Sequence, residues 1–226
     1  MNVKVIVFDL DDTLYNEIDF VHSGFGAVSN FFAQNHNLES EHLYAKMVHE
    51  LELHGRGSVF NNTLKHFKIE TKNAVKKALS LYRLHTPNIT LPKESVEILE
   101  YFQEQNIPLY LVTDGNKLVQ ANKIKALGLD KFMNKCFITH RYGKIHAKPS
   151  TYCFLKIAKL EDTAFSDVVY IADNINKDFV GINKLGFQTV RLKNGMFQDA
   201  QKSQEYQAQL EIENLLELKN ILKAKV

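Results

Sequence analysis

A short β-branched run, Val3 to Phe8 (VKVIVF), ends directly in Asp9-Leu10-Asp11-Asp12, and this junction limits the folds open to the chain. The run is too short for a helix and too apolar for an edge strand, so it predicts a buried strand of a parallel sheet. Three acids in four residues repel one another. A solvated surface turn is the plain explanation, but such a turn seldom follows a buried strand directly.

Four further runs share that character: Ile107 to Thr113, Cys136 to Thr139, Val168 to Ala172 and Phe187 to Leu192. Helical periodicity fills the intervals at Glu94 to Gln105, Lys117 to Leu127, Ser150 to Lys159 and Asp178 to Leu185. Alternating strand and helix predicts an α/β fold, a Rossmann-like parallel sheet core with right-handed crossovers. Residues 16–86 break the alternation. Phe20 to Asn35, Glu41 to Leu53, Val59 to Phe67 and Lys72 to Leu84 all read as helix, so 16–86 is expected to be an inserted α-helical cap. Thr86-Pro87-Asn88 and Leu91-Pro92 mark the return, giving a core of 1–15 and 87–226. Near the end, Leu210 to Ile212 reads as a short strand and Asn214 to Leu222 as a small amphipathic helix.

Each candidate functional residue falls at the carboxyl end of an expected strand, the edge where open α/β sheets bind ligands. Asp9 and Asp11 are two apart in an extended segment, which points their side chains the same way. One can attack phosphorus while the other handles the proton of the leaving oxygen. A bound cation would offset their repulsion.

Four separated elements in order resemble the haloacid dehalogenase superfamily, in its phosphatase branch with an α-helical cap after the first strand. They are Asp9-Leu10-Asp11-Asp12-Thr13, Thr113-Asp114-Gly115-Asn116, Lys148-Pro149 and Asp173-Asn174-Ile175-Asn176-Lys177-Asp178. The resemblance covers essentially the whole chain. It implies Asp9 as nucleophile and metal ligand, and Asp11 as general acid and then base, ligating the metal through its backbone carbonyl. Thr113, Asp114, Gly115 and Lys148 form the implied phosphate-binding set. Asp173 completes the metal site, and Asp178 supports the lysine or the metal shell. The implied cofactor is Mg2+, which suits a site of hard oxygen donors. Lys148 offers a point charge, and Pro149 is expected to pre-set the first turn of a helix beside it. Two departures stand out: Ala172 replaces the usual glycine, and Asp114 the commoner asparagine.

The expected activity is hydrolysis of a small phosphorylated metabolite, a nucleoside monophosphate or a sugar phosphate, through an aspartyl-phosphate. A phosphomutase of the same superfamily and a non-catalytic phosphate-sensing module remain as alternatives. Presence of Asp11 disfavours a dehalogenase, and neither Lys46 nor Lys65 is marked as the Schiff-base lysine of a phosphonate hydrolase. Arg56, in the turn His54-Gly55-Arg56-Gly57, is a candidate for gripping a substrate carboxylate or second phosphate, against the equal claim of a plain turn. His146 is expected near the surface. Phe20, Phe25, Phe31 and Phe32 read as core, and Cys136 and Cys153 as small buried hydrophobes in a reducing compartment.

A net charge of +2 gives no support for a nucleic-acid partner. No apolar stretch reaches the roughly 18 residues of a membrane span, and the N-terminus lacks the pattern of a signal peptide. A cytoplasmic protein acting on a small phosphate ester is therefore expected; nothing in the sequence fixes an oligomeric state.

Overall fold

The β-branched runs assemble into a six-stranded parallel sheet in the computed structural model, which describes residues 1–224. The strands are β1 (Asn2–Val3), β2 (Val5–Phe8), β3 (Leu109–Thr113), β4 (Lys135–Ile138), β5 (Val168–Ala172), β6 (Gln188–Leu192), β7 (Leu210–Ile212) and β8 (Lys223–Ala224). The large sheet has the order β4-β3-β2-β5-β6-β7, while β1 pairs separately with β8. The first run is thus two strands rather than one. It breaks at Lys4, whose N–H donates to the carbonyl of Asp167 at 2.8 Å.

The helices are α1 (Glu17–His36), α2 (Ser40–His54), α3 (Val59–His66), α4 (Lys72–Leu84), α5 (Lys93–Glu104), α6 (Lys117–Ala126), α7 (Tyr152–Leu160), α8 (Val180–Asn183) and α9 (Leu218–Ile221). Contacts divide the chain into a first unit, Met1–Glu17 with Thr90–Val226, and a second, Ile18–Ile89. The second unit contains only helices. Val21, Phe25, Val28 and Phe32 of α1 pack with Leu43 and Met47 of α2, Leu64 of α3 and Ala78 of α4. Those spacings of three and four put one apolar face of α1 against its neighbours.

In the first unit, alternate residues of β2 serve opposite faces of the sheet. Val5 and Val7 join Tyr110, Val112, Phe137 and Tyr170 beneath Phe154 and Ile157 of α7. All four residues of β2 and all five of β3 and β5 are buried, which is why these strands are apolar throughout rather than alternating. Cys153 is buried and Cys136 half-buried, both as free thiols.

Strand order places the switch of winding direction beside β2. From β2 the chain builds outward through β3 and β4, then crosses to β5 and builds the other way. The loops leaving β2 and β5 diverge there and open a crevice at their carboxyl ends.

Two expected helices are shorter than periodicity suggests. The Asp178 to Leu185 segment is helical only over α8, because residues 174–178 are taken up in a loop: the N–H groups of Lys177 and Asp178 both donate to the carbonyl of Asn174. Helix α7 starts at Tyr152, so Pro149 does not occupy its first turn. Pro149 lies instead inside a turn closed by the Ser150 N–H on the Ala147 carbonyl. The last helix is split between a 3-10 turn, Leu215–Glu217, and α9.

Asn116 caps α6 directly after the Thr113-Asp114-Gly115 loop, its Oδ1 accepting from the N–H groups of Leu118 (2.9 Å) and Val119 (3.4 Å). Asn116→Ala should therefore cost about 1 kcal/mol. In a thermal melt this reads as a loss of roughly 2–4 °C for a chain of this size.

Candidate active site

Asp9 and Asp173 are the residues that immediately follow β2 and β5. Those strands run side by side in register, with Phe8 opposite Ile171, and the N–H of Asp9 donates to the Ile171 carbonyl at 2.9 Å. Neighbouring parallel strands that end together must present their next side chains to the same space. One oxygen from each of Asp9, Asp173 and Asp178 lies within 4.8 Å of the others, and all three residues are buried.

A single buried ammonium faces this cluster. Lys148 Nζ is 2.9 Å from Asp9 Oδ2 and 2.8 Å from Asp178 Oδ1, and donates to Tyr170 Oη at 2.9 Å. Tyr170 Oη in turn donates a hydrogen bond to Asp178 Oδ1 at 3.1 Å, and Asp178 Oδ2 accepts from the Asn174 N–H. Asp178 is accordingly spent on its neighbours. Asp173, by contrast, receives one long hydrogen bond among the described residues, from Thr13 Oγ1 at 3.4 Å.

Charges follow this division. Burial pushes Asp9 up to about 6, opposed in part by Lys148. Burial and then the charges of Asp9 and Asp178 push Asp173 up to about 8. Lys148 loses hydration by burial, but Asp178, Asp9 and Asp114 outweigh that loss and hold its pKa above the ordinary lysine range.

Both Asp9 and Asp11 line a cavity of about 150 Å³, and Thr113, Asp114 and Asp173 join them there. The two aspartates nevertheless engage different partners. Beyond Asp11 the chain turns: Asp12 adopts φ +55° and the Leu14 N–H closes a turn on the Leu10 carbonyl. Asp11 Oδ1 accepts from Lys123 Nζ at 2.7 Å and Tyr15 Oη at 2.6 Å, and Oδ2 from Gln120 Nε2 at 2.9 Å. Burial works against the Asp11 charge, yet the Lys123 ammonium wins and holds its pKa below the usual carboxylate value.

Asp114 does not present its carboxylate as a free anion. It accepts from Thr139 Oγ1 at 2.7 Å and the Lys148 N–H at 3.1 Å, with Lys177 Nζ 3.4 Å away. Burial raises its pKa, but Lys148 and Lys177 bring it below the ordinary value. The unusual acid is thereby accommodated. Gly115 holds φ +133°, a conformation open to glycine and rarely to other residues. Thr113 Oγ1 accepts from Gln120 Nε2 at 2.6 Å, which ties Thr113 to Asp11 through one amide.

Sequence reasoning overlooked Gln120, Lys123, Tyr15, Tyr170 and Lys177. Gln120 and Lys123 sit three apart on α6 and so share a face; both are 2 % exposed. That spacing, on a helix opening after the Thr-Asp-Gly loop, was the available signal. Arg56 is exposed in the turn between α2 and α3 and belongs to the second unit. His146 stacks on Tyr152 at 3.9 Å between ring centroids.

Residues 3–186 match the haloacid dehalogenase-like hydrolases, and the chain belongs to that family. A glyceraldehyde 3-phosphate phosphatase of Methanocaldococcus jannaschii is 27% identical over 98% of this chain and 97% of its own length. A ribulose-1,5-bisphosphate 5-phosphatase of Halopiger xanaduensis is 29% identical over 59% of this chain and 57% of its own. Among solved structures, YfnB of Bacillus subtilis, bound to magnesium, superposes with a TM-score of 0.66 at 18% identity, covering 98% of this chain and 99% of that one. Among the described residues no helix is long and apolar enough to cross a membrane.

The donor set fits a hard divalent cation: buried carboxylates outnumber the ammonium facing them, and Asp173 has almost no donor of its own. In EDTA, the raised pKa values of Asp9 and Asp173 mean that the folded protein binds more protons than the unfolded chain from about pH 4 to pH 8. Stability contributed by these groups therefore falls as pH rises through that window. Melting temperatures in EDTA should drop between pH 5.5 and 8, and millimolar Mg2+ should restore more at pH 8 than at pH 5.5.

Proposed function

We propose that the chain hydrolyses the phosphate monoester of a small phosphorylated sugar through an aspartyl-phosphate on Asp9, with Mg2+ held by Asp9, Asp173 and the backbone carbonyl of Asp11. It is a phosphoric monoester hydrolase of the haloacid dehalogenase-like family. The observation that carries the residue assignment is the pairing of Asp9 with Lys148 at 2.9 Å, within a carboxylate cluster that includes Asp173.

In the first half of the reaction an Asp9 oxygen attacks phosphorus and the bond from phosphorus to the ester oxygen breaks. Asp11 gives that oxygen its proton, and the alcohol leaves. Water then attacks the phosphorus of the aspartyl-phosphate. Asp11 takes the water's proton, the bond from Asp9 to phosphorus breaks, and inorganic phosphate departs with Asp9 restored. Lys148, Thr113 and the backbone beside Gly115 steady the transferring oxygens, and Lys177, which lines the cavity, adds a second positive charge. Asp114 organises rather than touches phosphate, since its oxygens already serve Thr139 and the Lys148 N–H. The bound cation supplies charge neutralisation as phosphoryl charge redistributes, the main requirement of such a transfer. Asp178 keeps Lys148 aimed at Asp9.

One feature favours a short sugar phosphate over a nucleoside monophosphate: a relative that spans this chain nearly end to end is named for a three-carbon phosphate.

A panel of phosphorylated metabolites, assayed for released phosphate with and without EDTA, tests this reading. Glyceraldehyde 3-phosphate is expected to exceed adenosine monophosphate in kcat/KM by about tenfold or more, with phosphate release matching substrate consumed. Equal rates would remove the substrate class, and transfer to a second sugar hydroxyl instead of water would make the protein a mutase. Asp9→Asn should abolish turnover. Asp11→Asn should lower kcat by roughly 10²–10⁴-fold, the usual contribution of a positioned acid and base. Unchanged melting temperatures would show that both variants remain folded.

A further inference from the structure

The lining of the active-site cavity is otherwise carboxylate, amide, hydroxyl and ammonium, and Phe197 supplies the one aromatic ring in it among the described residues. It stands on the 3-10 turn Gly195–Phe197, in the loop that follows β6. Carboxylates and ammonium groups have work to do around a phosphate and a cation. A hydrocarbon face does not, so its presence there calls for another occupant.

The loop that carries Phe197 is held from two directions. From within the sheet, Arg191 of β6 is 3 % exposed and turns its guanidinium into the loop. Its Nη2 donates to the carbonyls of Phe197 (2.6 Å), Gln198 (3.2 Å) and Ala200 (3.0 Å), while Nη1 meets Glu211 Oε1 at 2.9 Å. A planar fork of fixed donors is suited to gripping several carbonyls at once. From the catalytic loop, Asn194 Nδ2 donates to the Asp12 carbonyl at 3.2 Å. Gly195, at φ +63°, passes so close to Asp12 that a Cβ would lie 2.6 Å from its Cγ. The loop is therefore registered to the segment bearing Asp9 and Asp11, with Phe197 as the side chain delivered to the cavity.

We propose that Phe197 is the surface against which the organic part of the phosphate ester packs, and that Arg191 is the positioning residue that holds it there. Phe197 thus discriminates between leaving groups and takes no part in gripping the phosphoryl group. The ligand class is a phosphomonoester whose alcohol presents a C–H face, as the carbon chain of a small sugar does. This rests on the phosphatase reading above and deepens it.

Inorganic phosphate, the product, carries the phosphoryl oxygens without any organic part, and so separates the two subsites. Phe197→Ala should raise KM for glyceraldehyde 3-phosphate roughly tenfold, the scale of losing one hydrocarbon contact in a pocket. The inhibition constant of inorganic phosphate should stay within about twofold of wild type, since uniform binding of the phosphoryl end is untouched. Phe197→Leu should recover part of the loss. Arg191→Met should reproduce the Phe197→Ala pattern, and the double variant should add little to either. If Arg191→Met fails to fold, Asn194→Ala supplies the same comparison from the other side of the loop. A parallel rise in the phosphate constant would overturn the proposal by making Phe197 part of the phosphate site, and no change in either constant would overturn it by removing the contact. Wild-type protein that released phosphate from no ester at all would instead sink the phosphatase reading, and this inference with it.

Discussion

Three carboxylates share a buried space no more than 4.8 Å across with one lysine, and the remainder of the site is arranged around that imbalance. At an effective dielectric near 20, two like charges at this separation repel by roughly 3–4 kcal/mol, while each contact of Lys148 near 2.8–2.9 Å attracts by about 6 kcal/mol. The ammonium therefore bridges Asp9 and Asp178 and offsets the repulsion between them. Asp173 feels both neighbours and lies beyond ion-pair distance of any described ammonium. Burial raises both acids, and Asp173, with no described ammonium within ion-pair distance to oppose it, rises further than Asp9, to about 8 against about 6. A divalent cation held, as proposed, by Asp9 and Asp173 would relieve the conflict where it is greatest.

Such an arrangement is costly to hold unless the backbone enforces it. Here the enforcement is register: β2 and β5 are adjacent, parallel and paired from Val5 with Val168 to Phe8 with Ile171. The hydrogen bond from the Asp9 N–H to the Ile171 carbonyl extends the ladder to Asp9, the proposed nucleophile. Strands buried on both faces cannot slip without exposing Ile6, Val7, Val169 or Tyr170. The apolar core thus fixes the distance between two acids that would otherwise move apart, which links the hydrophobicity of these strands to the electrostatics at their tips.

Much of this was legible in the sequence because strand tips are local features. An apolar run ending in Asp9, another ending in Thr113 and a third ending in Asp173 can each be read from a few neighbouring residues. The α/β core and the helical character of the segment after the first strand followed from periodicity in the same way. What escaped was whatever depends on long-range burial. Lys123 looks like any helical lysine, yet it is enclosed and paired with Asp11, 112 positions earlier. Tyr170 reads as strand filling, though its hydroxyl bridges Lys148 and Asp178. Pro149 misled because proline fits a first helical turn by itself, whereas here it belongs to the turn that precedes α7.

The separate lysines given to Asp9 and Asp11 bear on how two neighbouring carboxylates take unlike roles. From the protein's own groups, Asp9 is raised and Asp11 lowered, the reverse of what a nucleophile and a proton donor require. The ligands carry charge as well, and a site built for them has to be judged with that charge included. In the proposed reaction a divalent cation held by Asp9 would lower its pKa, and a phosphate dianion near Asp11 would oppose Lys123 and favour the protonated acid. Once the alcohol had left, Asp11 would have given up that proton, and Lys123 would stabilise the carboxylate as the base of the second half-reaction. Under the proposed mechanism, the substrate sets the first protonation state and the protein sets the second, so one aspartate serves as acid and base in turn without any rearrangement of the sheet that carries it.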